Sequence, residues 1–139
     1  MERMTFDNAV VTCTDLSSRV VVPSSFTEHQ FIWDMVSEVP EGTVHIGCTD
    51  REEEGKWVQP GDGGEECSFL HWSPGEPNTI LPGEDCAFMD YRYGGQWTDA
   101  YCYKLGYVVC QRPAVTPTTT PQISYCLQAD TNGRFVSIR

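Results

Sequence analysis

The stretch Trp72-Ser73-Pro74-Gly75-Glu76-Pro77-Asn78, continued by Gly83-Glu84-Asp85-Cys86 and answered by Gln96-Trp97-Thr98-Asp99, decides the reading of this chain. Glu76, Asn78, Glu84, Asp85 and Asp99 are hard oxygen donors set among Gly and Pro, where no regular element holds, and cysteines lie beside both ends. Ca²⁺ takes about six to eight oxygens, and an oxygen-rich loop stapled by cysteines suits it. The run from Pro60 to Glu66 is Gly-rich and acidic, so the segment to about Leu81 is expected to be one long loop. Long loops inside compact domains are usually functional.

The flanks supply regular structure. Thr5 caps a helix in which Phe6, Ala9, Val10 and Cys13 recur at helical spacing, with Asp7 favourably placed in the first turn. Ser25-Phe26-Thr27-Glu28 reads as a capping box opening a second helix, expected to bury Phe31, Ile32, Met35 and Val36. Val44, Ile46 and Cys48 alternate as in a strand, Lys56-Trp57-Val58 is a short one, and Cys86–Met89, Gly95–Trp97 and Tyr107–Cys110 close an antiparallel sheet. The fold class is α+β, two helices first and sheet after.

Composition narrows the partner. Nine Lys and Arg stand against twenty Asp and Glu, a formal net charge of −11. Phosphate recognition rests on cations, so the charge disfavours nucleic acid and anionic membranes and favours a cation partner. No segment has the length of a membrane span. Seven cysteines with no Cys-x-x-Cys pair indicate an extracellular disulfide framework. Met1 to Val11 holds no apolar stretch of signal-peptide length, so the chain reads as part of a secreted or cell-surface protein.

Past Arg112 the composition changes. Residues 113–122 read as an extended, O-glycosylated Thr/Pro-rich linker, and 123–139, with Cys126, as the start of a further module or a disordered tail. The folded domain is expected to span 1–112.

Taken in order, the capped helix ending in Cys13, His45-Ile46-Gly47-Cys48-Thr49-Asp50, Glu54-Gly55-Lys56-Trp57, Glu76-Pro77-Asn78, Glu84-Asp85-Cys86, Trp97-Thr98-Asp99, Cys102 and Cys110 resemble a C-type lectin-like domain. The resemblance implies a disulfide-stapled α+β fold of two helices and antiparallel sheets carrying a long calcium- and sugar-binding loop. It implies that Cys13 pairs with Cys110 and Cys86 with Cys102. Cys48 stands where the family usually has leucine, and its pairing with Cys67 is the favoured reading. The family's strand before the first helix is missing from this sequence, which leaves a sheet edge open.

Position by position, the resemblance implies that Glu76, Asn78, Glu84 and Asp99 hold both Ca²⁺ and sugar. Thr98 takes the place of a ligand asparagine, which weakens calcium affinity. An auxiliary ion would use Asp50, Glu54 and Asp85, with Thr79 replacing the acid expected there. The Glu-Pro-Asn order goes with mannose-type sugars in the family and Gln-Pro-Asp with galactose-type ones. A diol suits such a site: each hydroxyl gives one lone pair to Ca²⁺, a proton to a carboxylate and a second lone pair to an amide N–H.

Glu52-Glu53-Glu54 is otherwise a solvated acidic turn, and His29, His45 and His71 have no metal or nucleophile spacing, which leaves them packing or surface roles. Tyr91 and Tyr93 either end a hairpin or flank a sugar. The expected function is calcium-dependent, mannose-type carbohydrate binding to glycans or glycoproteins by a non-enzymatic extracellular module. The alternative is a calcium-independent lectin-like domain that binds a protein or other ligand.

Overall fold

The computed structural model describes residues 2–39, 41–61, 63–78, 82–114, 122–127 and 137–138, the last two segments and 113–114 through their backbone alone. Helix α1 (Phe6–Asp15) starts at Thr5, whose side chain accepts from Asn8 N, and it buries Phe6, Ala9 and Cys13. Helix α2 (Phe26–Val36) starts at Ser25, which accepts from Glu28 N at 3.1 Å. The Glu28 carboxylate does not reach back to close a capping box. It accepts from Ser24 Oγ at 3.0 Å and from Gln111 Nε2 at 3.1 Å, tying the helix start to the terminal strand.

Helix α2 buries His29, Ile32 and Val36, while Phe31, expected in the core, is 41% exposed. At about 100° per residue Phe31 lies about 200° round the helix from His29, on its outer side. A polar-looking histidine thus holds the core position that the apolar count gave to Phe31.

Two antiparallel sheets complete the domain. In the first, β1 (Arg19–Val20) pairs with β5 (Val109–Ala114), which pairs with β6 (Gln122–Leu127) and then β7 (Ser137–Ile138). In the second, β2 (Val44–Thr49), β3 (Cys86–Met89) and β4 (Trp97–Ala100) lie in that order. Strands β2 and β3 are buried throughout, so both faces of this sheet are covered and the β2 edge is packed over. Gly47 makes the closest approach between the sheets: its N–H donates to Val21 O at 2.8 Å, and a Cβ there would lie 2.5 Å from Val20 O. No larger residue fits without moving one strand.

The core gathers Val21, Ile32, Val36, Ile46, Met89 and Trp97, with a second cluster of Ala9, Cys13, Val20, Val108 and Cys110 under α1. Disulfides Cys13–Cys110, Cys48–Cys67 and Cys86–Cys102 all form. They fix α1 to β5, the long loop to β2, and β3 to the segment after β4.

Several elements differ from expectation. Lys56–Val58 is no strand; Val58 makes single bridges to Thr49 and Glu66. Strand β4 begins at Trp97 instead of Gly95, and β5 at Val109 instead of Tyr107. The expected boundary at 112 does not end the sheet: β5 continues to Ala114, and Gln122–Leu127, expected outside the domain, pairs along it from Val109 to Ala114. The edge expected to be open is thereby covered, and β5's outward main-chain groups are satisfied. The central part of the expected linker, 115–121, and Thr79 lie outside the described residues. No helix among the described residues is long and apolar enough to cross a membrane.

Candidate functional site

The long loop is positioned by aromatic packing and by β4. Trp72 packs on Trp57 (ring centroids 4.8 Å) and edge-on against Trp97 (6.0 Å). Residues on either side of it join the head of β4: Trp97 N donates to His71 O and Ser73 N to Trp97 O, both at 2.8 Å. The Trp97 indole N–H donates to His29 Nδ1 at 3.1 Å, so the buried histidine of α2 locks the ring that holds the loop. Burial, then the neighbouring His71, lowers the His29 pKa to about 4, which keeps Nδ1 an acceptor.

With the loop pinned there, Glu76 and Asn78 meet Asp99, two residues further along β4. Asn78 Nδ2 donates to Glu76 Oε1 at 2.8 Å, Asn78 N to Asp99 Oδ1 at 3.1 Å, and Asp99 N to Glu76 Oε2 at 3.4 Å. The Glu76–Pro77 peptide bond is cis. The Asn78 side-chain oxygen, Oδ1, accepts no hydrogen bond among the described residues. Burial, then the adjoining Glu76, pushes the Asp99 carboxyl up to about 7. Burial works against Glu76, but hydrogen bonds from Asp99 and Asn78 hold it below its ordinary value. The two carboxyls therefore titrate apart, Asp99 pushed up and Glu76 held down.

The other expected ligands fall differently. Glu84 is half-buried just before β3 and makes no hydrogen bond with Glu76, Asn78 or Asp99 among the described residues. Thr98 turns to the other side of β4, where its hydroxyl donates to Asp90 Oδ2 at 3.1 Å, away from the Glu76–Asn78–Asp99 group. Alternation along a strand separates Thr98 from Asp99.

Asp90 was not among the residues singled out from sequence. It is fully buried, accepts from Arg92 Nη2 at 2.6 Å, Arg92 Nε at 3.0 Å and Arg92 N at 2.9 Å, and so anchors both the Tyr91–Tyr93 turn and Thr98. The available signal was an Asp two residues before an Arg at the edge of a Gly-Gly turn, where a short polar side chain bonds its own backbone two residues on. Tyr91 and Tyr93 flank this turn, at the far end of the sheet from Asp99.

The second set comes together. Asp50, at the end of β2, Glu54 and Asp85 place carboxylate oxygens within 4.8 Å of one another, the one such group of three among the described residues. Asp50 is 2% exposed; its Oδ2 accepts from Gly55 N at 2.9 Å, and its Oδ1 has no hydrogen-bond partner among the described residues. Burial, then the nearby Glu54, raises its pKa to about 7, with the Gly55 N–H opposing and Asp85 adding to the rise. An orphaned, buried carboxylate oxygen facing two further carboxylates has the donor set of a hard divalent cation, so these residues fit Ca²⁺.

Residues 2–112 match the Lectin C-type domain family. The hepatic lectin of Gallus gallus is 31% identical over 113 residues, covering 81% of this chain and 52% of that protein, so the chain spans about half the length of this relative. The mouse scavenger receptor C-type lectin carbohydrate-recognition domain superposes with a TM-score of 0.69 at 32% identity, covering 79% of this chain and 83% of that one. A calcium-independent type II antifreeze protein has the same fold, with a TM-score of 0.66 at 25% identity over 78% of both chains. With its three disulfides, two helices and paired antiparallel sheets, the chain belongs to the C-type lectin domain family.

Proposed function

We propose that this domain is a carbohydrate-binding module that holds Ca²⁺ through Glu76, Asn78, Glu84 and Asp99 and takes two neighbouring hydroxyls of a mannose-type sugar on that ion. What supports the reading is the Glu76–Asn78–Asp99 contact, in which two carboxylates meet a carboxamide at one point of the loop. An ion held by these residues would supply open coordination positions for the two hydroxyls of the diol. Glu76 and Glu84 would accept hydrogen bonds from the sugar hydroxyls, and the Asn78 amide would donate to them. The Glu-Pro-Asn order favours mannose over galactose. Asp50, Glu54 and Asp85 hold a second ion that stiffens the base of the loop. The setting is extracellular, consistent with three disulfides, and the partners are glycans or glycoproteins.

A calcium-independent reading has one observation in its favour: the Thr98 hydroxyl is already committed to Asp90, so the loop offers one ligand fewer than the family pattern. Similarity to a calcium-independent antifreeze protein goes with it. Chromatography on mannose resin separates the two. Retention in calcium with release by a chelator and by free mannose is the expected result; retention that survives the chelator refutes the calcium site. The double variant Glu76→Gln, Asn78→Asp is expected to shift preference toward galactose, and an unchanged sugar profile would show that this loop does not set specificity.

A further inference from the structure

At the end of the β2–β3–β4 sheet away from Asp50, Asp85 and Asp99, a cavity of about 200 Å³ opens among Arg3, Arg92, Lys104, Thr43 and the exposed rims of Tyr91 and Leu105. Three of the chain's nine basic residues converge here from three separate segments, in a protein of net charge −11.

Arg92 is ion-paired with the buried Asp90 and lies 5.6 Å over the Tyr93 ring, whereas Arg3 and Lys104 have no ion pair among the described residues. Arg51 and Lys56, by comparison, pair with Asp7 and Glu53. Asp90 occupies Nε and Nη2 of Arg92 and leaves Nη1 without a partner among the described residues. The Lys104 ammonium lies 5.3 Å over the Phe88 ring and has no carboxylate in ion-pair range among the described residues; Arg3 has none either. Burial lowers the Lys104 pKa, Asp90 opposing and Arg92 reinforcing, so an incoming negative charge would relieve a desolvated cation. The one carboxylate in the lining, Glu41, is itself exposed to solvent.

A guanidinium nitrogen and an ammonium brought together suit a tetrahedral oxyanion, and the Thr43 hydroxyl adds a neutral donor. The rim adds a second requirement. Tyr91 is 44% and Leu105 51% exposed, and Tyr93 and Tyr103, beside them in sequence, are exposed as well. A free ion makes no use of that apolar border, whereas a ring carrying the anion covers it.

We propose that this cavity is a second ligand site, which takes a sulfate or phosphate monoester carried on a ring-bearing molecule, with Arg3, Arg92 and Lys104 on the oxyanion and Tyr91 and Leu105 against the ring. It is independent of the calcium loop and is tested without calcium. The full chain, kept in chelator, is titrated by amide NMR with sodium sulfate, 4-nitrophenyl sulfate and 4-nitrophenyl phosphate, with sodium chloride at matched ionic strength as reference. Saturable shifts at Tyr91, Leu105 and Gly106 are expected, with both aryl esters binding more tightly than inorganic sulfate. Arg3→Gln and Lys104→Gln should each weaken ester binding about tenfold, the loss of one charge-assisted contact. Arg3 is exposed, so its variant carries the test should the Lys104 variant fail to fold. Shifts reproduced by chloride, or unchanged in the variants, overturn the site. Equal affinity for free sulfate and the esters reduces it to an adventitious ion only.

Discussion

Calcium uptake by this domain should expel protons, and the number can be worked out. Asp99 and Asp50 are each raised to about 7, in both cases chiefly by burial and then by a neighbouring carboxyl, while Glu76 is lowered and stays ionised. An ion entering either cluster must displace one proton, because a protonated carboxyl cannot serve as a full ligand. For a single group of pKa about 7, apparent affinity scales as 1/(1 + 10^(7 − pH)), so moving from about pH 7.5 to about pH 5.5 weakens each site about twenty-five-fold. At about pH 6 each bound ion should release about 0.9 proton. Titration calorimetry in two buffers of different ionisation enthalpy reads that number directly, and mannose retention should fall over the same pH range. A binding enthalpy independent of buffer at about pH 6, together with an affinity flat across this window, would refute the raised titration of Asp99 and of Asp50.

Thr98→Asn places a carboxamide on the Asp90 side of β4 and is expected to leave calcium affinity unchanged by calorimetry; a tighter ion would mean that the side chain at 98 reaches the site despite strand alternation. Replacing Cys48 and Cys67 together by serine removes a cross-link spanning 19 residues and should cost about 3 kcal/mol in urea unfolding, with the anchor of the long loop lost first. Gly47→Ala forces a Cβ against Val20 O and should cost about 1–3 kcal/mol in the same assay, a neutral effect being incompatible with the sheet contact described. Without calcium, the contribution of Asp50 and Asp99 to the fold is full below their ordinary value of 3.8 and is lost progressively as pH rises from there to about 7, whereas that of His29 and His45, lowered to about 4 chiefly by burial, is full above 6.5 and is lost as pH falls from there to about 4. Two groups oppose two, so the thermal midpoint of the calcium-free domain should be nearly flat between about pH 4.5 and 6.5, and saturating calcium should expose a clear loss of stability in acid.

The features legible in the sequence are those with local causes. Thr5 and Ser25 were readable as helix caps because the bond each makes lies three residues away. The loop was readable because Gly, Pro and oxygen donors cannot sustain a repeating element. Sites whose partners are distant in sequence were less legible. Phe31 and His29 exchange expected roles because Trp97, 68 residues away from His29, offers an indole N–H that a histidine can accept and a phenylalanine cannot. The pairing of Gln122–Leu127 with β5 escaped for a related reason: the composition before it disfavours folding, but an unpaired strand edge is a strong acceptor for whatever extended chain can reach it.

The same distinction bears on the candidate site. Motif order places Glu76, Asn78 and Asp99 together because two of them share one turn and the third sits on the strand to which that turn is bonded. Motif order also put Thr98 in that group, and strand alternation removes it, giving its hydroxyl to Asp90. That exchange has a physical logic. Asp90 is fully buried and must satisfy both carboxylate oxygens; Arg92 and the Arg92 amide provide most of the bonds, and Thr98 completes them. Because Thr98 faces away from Asp99, freeing it from Asp90 does not bring it to the ion. A substitution at Arg92 should then displace Thr98 and leave calcium binding unchanged. Arg92→Gln, followed by calcium calorimetry and by the amide shift of Thr98, tests this. A shifted Thr98 resonance with unmoved calcium affinity is expected, and a changed affinity with a displaced Thr98 would show that the two ends of β4 are coupled.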